Sequence, residues 1–225
     1  MNHKIKFSNI RFDAVLCLNG EISHFEYIKE YEGNIYCADG AANQLISNNI
    51  IPDYVIGDLD SINEGLLKEK YSNIVFYKKE SQESNDFEKC LDYLSNKNIN
   101  NILIFGLQGG ELEHTLNNWS VLKRFSSKMN LVVLHKNRYA FVINQTSVIE
   151  LNENEIVSLI PQTKCLLTTS GLRWNLKNEY LEIGKREGAR NLTENKNILL
   201  EIHEGELLFF MDSRYPQSIK YENER

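Results

Sequence analysis

No basic run, no apolar stretch long enough to cross a bilayer and no closely spaced cysteine pair occurs in this chain, and each absence removes a class of function. Affinity for a phosphate backbone rests on clustered Lys and Arg, so a chain of formal charge -6 is not expected to bind nucleic acid. The apolar run Ala14-Val-Leu-Cys-Leu18 is too short for a signal peptide, and nothing approaches a membrane span. Cys17, Cys37, Cys90 and Cys165 lie too far apart in sequence to suggest a metal-binding pair or a disulfide framework, and free thiols suit a reducing compartment. A cytoplasmic protein without membrane attachment is expected. No Pro/Gly/Ser-rich linker interrupts the chain near Lys136-Asn-Arg138, which predicts closely packed domains.

What is present is ordinary for a globular protein: 225 residues, 42% of them hydrophobic and 25% charged, enough to bury a core. The first half alternates short apolar runs with helical patterns, the signature of a mostly parallel sheet covered by helices. Strands are predicted at Ala14–Leu18, Asn34–Ala38, Tyr54–Ile56, Asn73–Tyr77, Asn101–Phe105 and Leu131–His135. Helices are predicted around Glu64–Lys70, Ser84–Leu94 and Leu116–Phe125, with Phe87, Cys90, Leu91 and Leu94 on one face of the second. From about Tyr139 no long helical period returns, and short Val/Ile/Leu/Phe runs recur between polar turns. Strands are expected at Ala140–Ile143, Ser147–Leu151, Ile156–Ile160, Cys165–Thr168, Ile198–Ile202 and Leu207–Met211, with hairpin-like loops at Asn152–Asn154 and Glu204-Gly205. The expected fold is therefore α/β over residues 1–136 followed by a smaller all-β sandwich over 137–225.

Two strand ends carry the chemistry. The strand before Asp39-Gly40 yields to a helical pattern in Ala41, Ala42, Leu45 and Ile46, and Tyr54-Val-Ile56 ends in Gly57 and delivers Asp58 and Asp60. On an extended chain residues two apart face the same side, so Asp58 and Asp60 are expected to aim into one space with Asp39 arriving from the neighbouring strand. Asp and Gly also serve strand-to-helix junctions for purely local reasons. Gathered carboxylates, however, either take up a proton or bind a cation, and oxygen-only ligands favour a hard ion such as Mg2+ that shares its remaining positions with phosphates. Asp86 opens a helix that Ser84 or Asn85 is placed to cap, and Gly106-Leu-Gln-Gly-Gly110 lies between a strand and a helix, where backbone N–H groups approach phosphates.

In their order along the chain, Ala38-Asp-Gly-Ala-Ala-Asn43, Gly57-Asp-Leu-Asp-Ser61, Gln82-Glu-Ser-Asn-Asp-Phe-Glu-Lys-Cys-Leu91, Gly109-Gly-Glu-Leu-Glu-His-Thr-Leu116 and Ser170-Gly-Leu-Arg-Trp-Asn-Leu176 resemble the elements of the thiamine pyrophosphokinases. That resemblance implies transfer of diphosphate from ATP to the hydroxyethyl group of thiamine, giving thiamine diphosphate and AMP. It implies Mg2+ held by Asp39, Asp58, Asp60 and Asp86, which are also the catalytic residues. The ATP site it implies comprises Asn43, Ser61, Gln82 and Lys89 together with Gly109, Gly110 and His114. Trp174 becomes a platform for the cationic thiamine rings, and Asn191, in Gly188-Ala-Arg-Asn191, a second thiamine residue. It further implies a homodimer with its sites at the subunit interface.

Departures from the family pattern are visible. Glu111 and Glu113 stand where Arg and Asp are usual, Asn85 where Thr is usual, Glu83 where Asp is common, and Arg190 where Ser is usual. They keep open a diphosphokinase acting on another small alcohol, and a catalytically silent nucleotide-binding regulator of the same fold. Diphosphate transfer depends chiefly on positioning and electrostatics. The lack of a Ser/His/Asp or Cys/His set is therefore no objection.

Overall fold

The computed structural model describes residues 3–8, 11–80 and 83–223. The chain forms two compact units, Phe12–Lys136 and a second that joins Asn137–Arg225 to the N-terminal segment. That segment contains β1 (His3–Ser8), which pairs antiparallel with β14 (Ser218–Asn223) and parallel with β9 (Ser147–Glu150). From the sequence this segment is expected in the α/β domain over residues 1–136. Its partners lie more than a hundred residues away, so nothing local marks it as part of the β unit.

In the α/β unit, β2 (Ala14–Cys17), β3 (Ile35–Ala38), β4 (Tyr54–Gly57), β5 (Val75–Lys78), β6 (Asn101–Phe105) and β7 (Asn130–His135) form a parallel sheet in the order β7-β6-β2-β3-β4-β5. The middle strands are apolar runs buried along their whole length, as a sheet covered on both faces requires. Among the described residues five helices connect the strands: α1 (Phe25–Lys29), α2 (Asp39–Ser47), α3 (Glu64–Lys70), α4 (Asp86–Asn96) and α5 (Leu112–Phe125). On α4 the predicted face is buried, Phe87, Cys90, Leu91 and Leu94 all facing inward. Asn85 is its cap, accepting from the Glu88 N–H at 2.9 Å and satisfying one of the donors a helix start leaves open.

From β2 the chain moves one way along the sheet to β3, β4 and β5, then returns to the other side of β2 as β6. Where the direction reverses, the loops after the two adjacent strands part and leave a crevice beyond their carboxyl ends. The unit's cleft opens there.

In the β unit, β8 (Arg138–Ile143), β9, β10 (Ile156–Ser170), β11 (Glu179–Glu182), β12 (Gly188–Leu192), β13 (Asn197–Asp212) and β14 follow one another without a helix. Val157, Leu159, Cys165, Leu167 and Thr169 of β10 are buried in alternation, the period of a strand with one covered face. Two expected hairpins are corrected. The runs at 198–202 and 207–211 are a single strand, β13, and Glu204-Gly205 stays paired with Leu166 and Cys165 of β10 between two register shifts. Gly205 has φ +78°, and a Cβ there would lie 2.2 Å from the Lys164 carbonyl oxygen. A glycine thus lets the two backbones approach closely between the shifts without ending the ladder. The runs at 156–160 and 165–168 likewise merge into β10. Asn152–Asn154 does turn the chain, but β9 and β10 both pair with β13 and not with each other. Each long strand changes partners along its length, which is how strands turn corners in sandwich-like folds.

Candidate active site

Asp39, Asp58 and Asp60 each offer a carboxylate oxygen within 4.8 Å of the others. Asp39 is the first residue of α2, directly after β3, and is 2% exposed. The other two follow β4. The expected pleat does not orient them: the strand has ended at Gly57, and Leu59 between them has φ +65°. This left-handed turn at a non-glycine residue is a strained conformation of the kind that gathers at functional sites. Burial and the nearby Asp86 raise the Asp39 pKa from its ordinary value. Burial pushes Asp58 upward too, but Lys89 and hydrogen bonds involving Asp60 and Asp39 outweigh it and hold its carboxyl low.

The loop is braced by its neighbours. Asn43 donates to the Ser61 carbonyl at 2.9 Å, Ser61 Oγ donates to Asp60 at 3.1 Å, and the Ser61 N–H reaches Asp39 at 3.5 Å. Asn43 and Ser61 thus shape the acidic loop. Gly57 allows the close approach of β3 and β4, because a Cβ on it would lie 3.1 Å from both Cβ and Cγ of Asp39. Gly57→Ala is therefore expected to push the Asp39 carboxylate aside and lower turnover roughly ten- to a hundredfold. A folded Gly57→Ala protein, judged by circular dichroism, with wild-type turnover would show that this contact does not set Asp39.

The cleft beside this trio has a volume of about 460 Å3, within the range of small-molecule sites. The loop after β2, the loop after β6 and the first turns of α4 and α5 line it, with Asp58, Asp86, Lys89, Gly109, Gly110 and His114 among the residues. The two loops touch through their backbones: the Gly20 N–H donates to the Gly106 carbonyl at 3.0 Å, and a Cβ on Gly20 would sit 2.2 Å from the Gln108 oxygen. Gly110, at φ +70°, faces open space, while the Gly109 N–H donates to Thr115 Oγ1 at 3.3 Å. His114 Nε2 lies 3.5 Å from Glu111 on an exposed helix start. Gln82 lies outside the described residues.

Asp86 does not join the trio's close grouping. It accepts a hydrogen bond from Lys89 Nζ at 2.9 Å, and the same ammonium lies 3.7 Å from Asp58. Burial pushes the Lys89 pKa down, but Asp86 and Asp58 more than reverse this and raise it. One further linkage has no signature in the sequence. Asn85 donates to Asn118 Oδ1 at 3.1 Å and Asn118 donates to the Leu107 carbonyl at 2.9 Å, tying the start of α4 and the middle of α5 to the glycine-rich loop. Asn118 has no local signal, being one more polar residue on a helix.

The β unit holds its own pocket of about 150 Å3, lined by Trp174, Asn191, Leu159 and Leu181 among others. Trp174 is 60% exposed. Asn191 is buried and grips the Trp174 backbone from both ends of its amide, accepting from its N–H at 3.2 Å and donating to its carbonyl at 2.8 Å. It positions Trp174 and lines the pocket. The Arg173 guanidinium stands 5.8 Å from the indole centre. Arg190, at φ +56°, lines a different groove with Arg138 and Asp212. It is not among the residues that line the Trp174 pocket.

Among the described residues no helix is long and apolar enough to cross a membrane. Residues 25–134 match the family model described as thiamin pyrophosphokinase, catalytic domain, and residues 145–202 match its vitamin B1 binding domain. The chain is 28% identical over 217 residues to thiamine pyrophosphokinase 1 of Oryza sativa subsp. japonica, covering 82% of this chain and 81% of that protein. It is 28% identical over 147 residues to the thiamine pyrophosphokinase of Bacillus subtilis, covering 62% of this chain and 69% of that one. In fold it is similar to the yeast thiamin pyrophosphokinase structure, with a TM-score of 0.77 at 22% identity over 91% of this chain and 87% of that one. The Bacillus subtilis structure gives 0.74 at 20% identity, covering 89% and 99%.

Proposed function

Given that the chain belongs to the thiamin pyrophosphokinase family, we propose that it transfers diphosphate from ATP to the hydroxyethyl oxygen of thiamine. The carrying observation is the convergence of Asp39, Asp58 and Asp60 beside a cleft at the sheet's switch point. A new bond forms between the hydroxyl oxygen and the β-phosphorus, the bond from that phosphorus to the α-phosphate's bridging oxygen breaks, and AMP departs. The hydroxyl proton passes to solvent.

Oxygen-only donors gathered this tightly fit Mg2+, which prefers hard oxygen ligands and shares them with phosphates. Asp39, Asp58 and Asp60 would hold it, with Asp86 nearby, and it would supply charge neutralisation to the transferring phosphoryl oxygens. Backbone N–H groups of the loop after β6, Gly110 foremost, and the N-terminus of α5 approach the polyphosphate. Lys89 adds a fixed positive charge at the cleft wall. Trp174 presents its indole face to the thiazolium, a cation–π contact of about 0.5–2 kcal/mol, and Asn191 keeps that ring in place.

Purified protein, ATP, Mg2+ and thiamine should yield AMP and thiamine diphosphate in equal amounts, and other small alcohols should yield little. ATP binding without AMP formation would overturn the proposal.

Glu111 has the wrong charge for a phosphate ligand, and its side chain is 71% exposed beside His114. Glu111→Arg is expected to leave the ATP dissociation constant unchanged or lower it by up to roughly a hundredfold, since a charged hydrogen bond contributes about 1.5–3 kcal/mol. Loss of activity in the folded variant would give Glu111 a role of its own.

The same proposal includes a homodimer with its reaction sites at the subunit interface and a cytoplasmic location. Leu112 at 81% exposure, Leu116 at 71% and Trp174 at 60% support the first, being large apolar groups in need of cover. The four buried free thiols support the second.

A further inference from the structure

Lys89 is the only cation among the buried polar side chains of the described residues, at 3% exposure. A lysine is rarely found so deep unless its charge is paired. Here the partners come from two elements: Asp86, one turn earlier on α4, at 2.9 Å, and Asp58, from the loop after β4, at 3.7 Å. The ammonium therefore faces the same carboxylate that belongs to the acidic trio, and it lines the cleft beside it. Ordinary stabilisation of α4 does not require this burial. The helix already has an Asn85 cap and an apolar face, and an exposed lysine would serve its surface equally well.

From this arrangement we infer that Lys89 is a resident counter-cation that disfavours a bare divalent ion at the acidic cluster and commits the site to a metal arriving on a polyphosphate. The inference rests on the diphosphokinase reading for the identity of that polyphosphate. An ammonium this near to Asp58 repels an incoming divalent ion, and in a partly desolvated site the repulsion is poorly screened. It also neutralises part of the negative charge that would attract the ion. A nucleotide triphosphate reverses the balance, because its excess negative charge is attracted to Lys89 while its metal is attracted to the aspartates. Lys89 is thus a selectivity residue acting on the order of loading, and the bond chemistry of the transfer does not pass through it.

The test measures binding without turnover. Mn2+ alone, followed by the electron paramagnetic resonance of the free ion, reports the empty cluster. Mg2+ with α,β-methylene-ATP, whose bridging bond resists cleavage, reports the nucleotide complex by calorimetry. In Lys89→Met, Mn2+ should bind about tenfold tighter and the Mg2+–nucleotide analogue about tenfold weaker. Lys89→Arg should follow the wild type in both. A lysine with a merely structural role would, when removed, weaken both ligands together. Mn2+ affinity that is unchanged or lower in Lys89→Met overturns the inference. If that variant does not fold, Asp86→Asn/Lys89→Met, in which both partners of the ion pair are neutral, is compared with Asp86→Asn alone. Tighter Mn2+ binding by the double variant supports the inference, and equal or weaker binding overturns it. AMP formation by the wild type with thiamine is measured in parallel. Its absence defeats the diphosphokinase reading, while the Mn2+ constants still decide the role of Lys89.

Discussion

Asp60→Asn lowers the rate of AMP formation by roughly a hundredfold or more while leaving the melting temperature close to that of the wild type. The two halves of this expectation have separate causes. Asp60 is exposed, so neutralising it breaks no packing and buries no unpaired charge, and its amide oxygen still accepts from Ser61 Oγ as the carboxylate does at 3.1 Å. The trio loses one of three anionic donors, and stabilisation of charge on a transferring phosphoryl group contributes several kcal/mol, each 1.4 kcal/mol being about tenfold in rate. Asp39 is the less informative position to change. Its buried carboxyl already has a raised pKa, so a neutral amide there alters stability and chemistry together. Asp60→Asn with unchanged turnover and an unchanged Mg2+ requirement would remove the metal assignment from this loop.

Mixing two impaired proteins restores activity. Asp60→Asn disables the acidic cluster and Trp174→Ala removes the proposed thiamine platform; both side chains are exposed, so both variants should fold. In a symmetric dimer whose sites draw on both subunits, a mixed dimer contains one site with both defects and one with neither. Random exchange makes about half of the dimers mixed, so an equimolar mixture should regain about a quarter of wild-type turnover. Exchange is followed by native mass spectrometry of a mass-labelled partner. Confirmed mixed dimers with no recovered activity would show that each subunit works alone, and a monomer at assay concentration would remove the dimer itself.

Much of the α/β unit was legible in the chain because its signals are local. The strand at Asn101–Phe105 and the helix at Glu64–Lys70 have the bounds expected from their apolar periodicity and flanking polar residues. The buried face of α4 follows from the 3.6-residue spacing of Phe87, Cys90, Leu91 and Leu94. The aspartates drew notice because each sits at a strand end, where a polar residue after an apolar run stands out.

The β unit was less legible. Glu204-Gly205 has the composition of a tight turn, and the residues around it do not reveal whether the chain reverses or continues. The choice depends on β10, whose Lys164 carbonyl lies against Gly205 and whose ladder continues on both sides of it. Nor does the sequence of β1 disclose its partners, since a short alternating strand is compatible with many edges until the rest of the sheet exists.

By itself the sequence determined the class of fold, the order of most elements and the residue types at the site, because backbone preference, capping and burial periodicity act over a few neighbouring residues. Tertiary structure alone decided which strands pair, that Leu59 turns left-handed to bring Asp58 and Asp60 onto Asp39, that Asn191 holds Trp174, and that Lys89 lies buried between Asp58 and Asp86. These features have one physical origin. A buried ammonium or a left-handed leucine is unfavourable in isolation and persists only where contacts from distant parts of the chain offset its cost, and those contacts do not exist until the fold has closed.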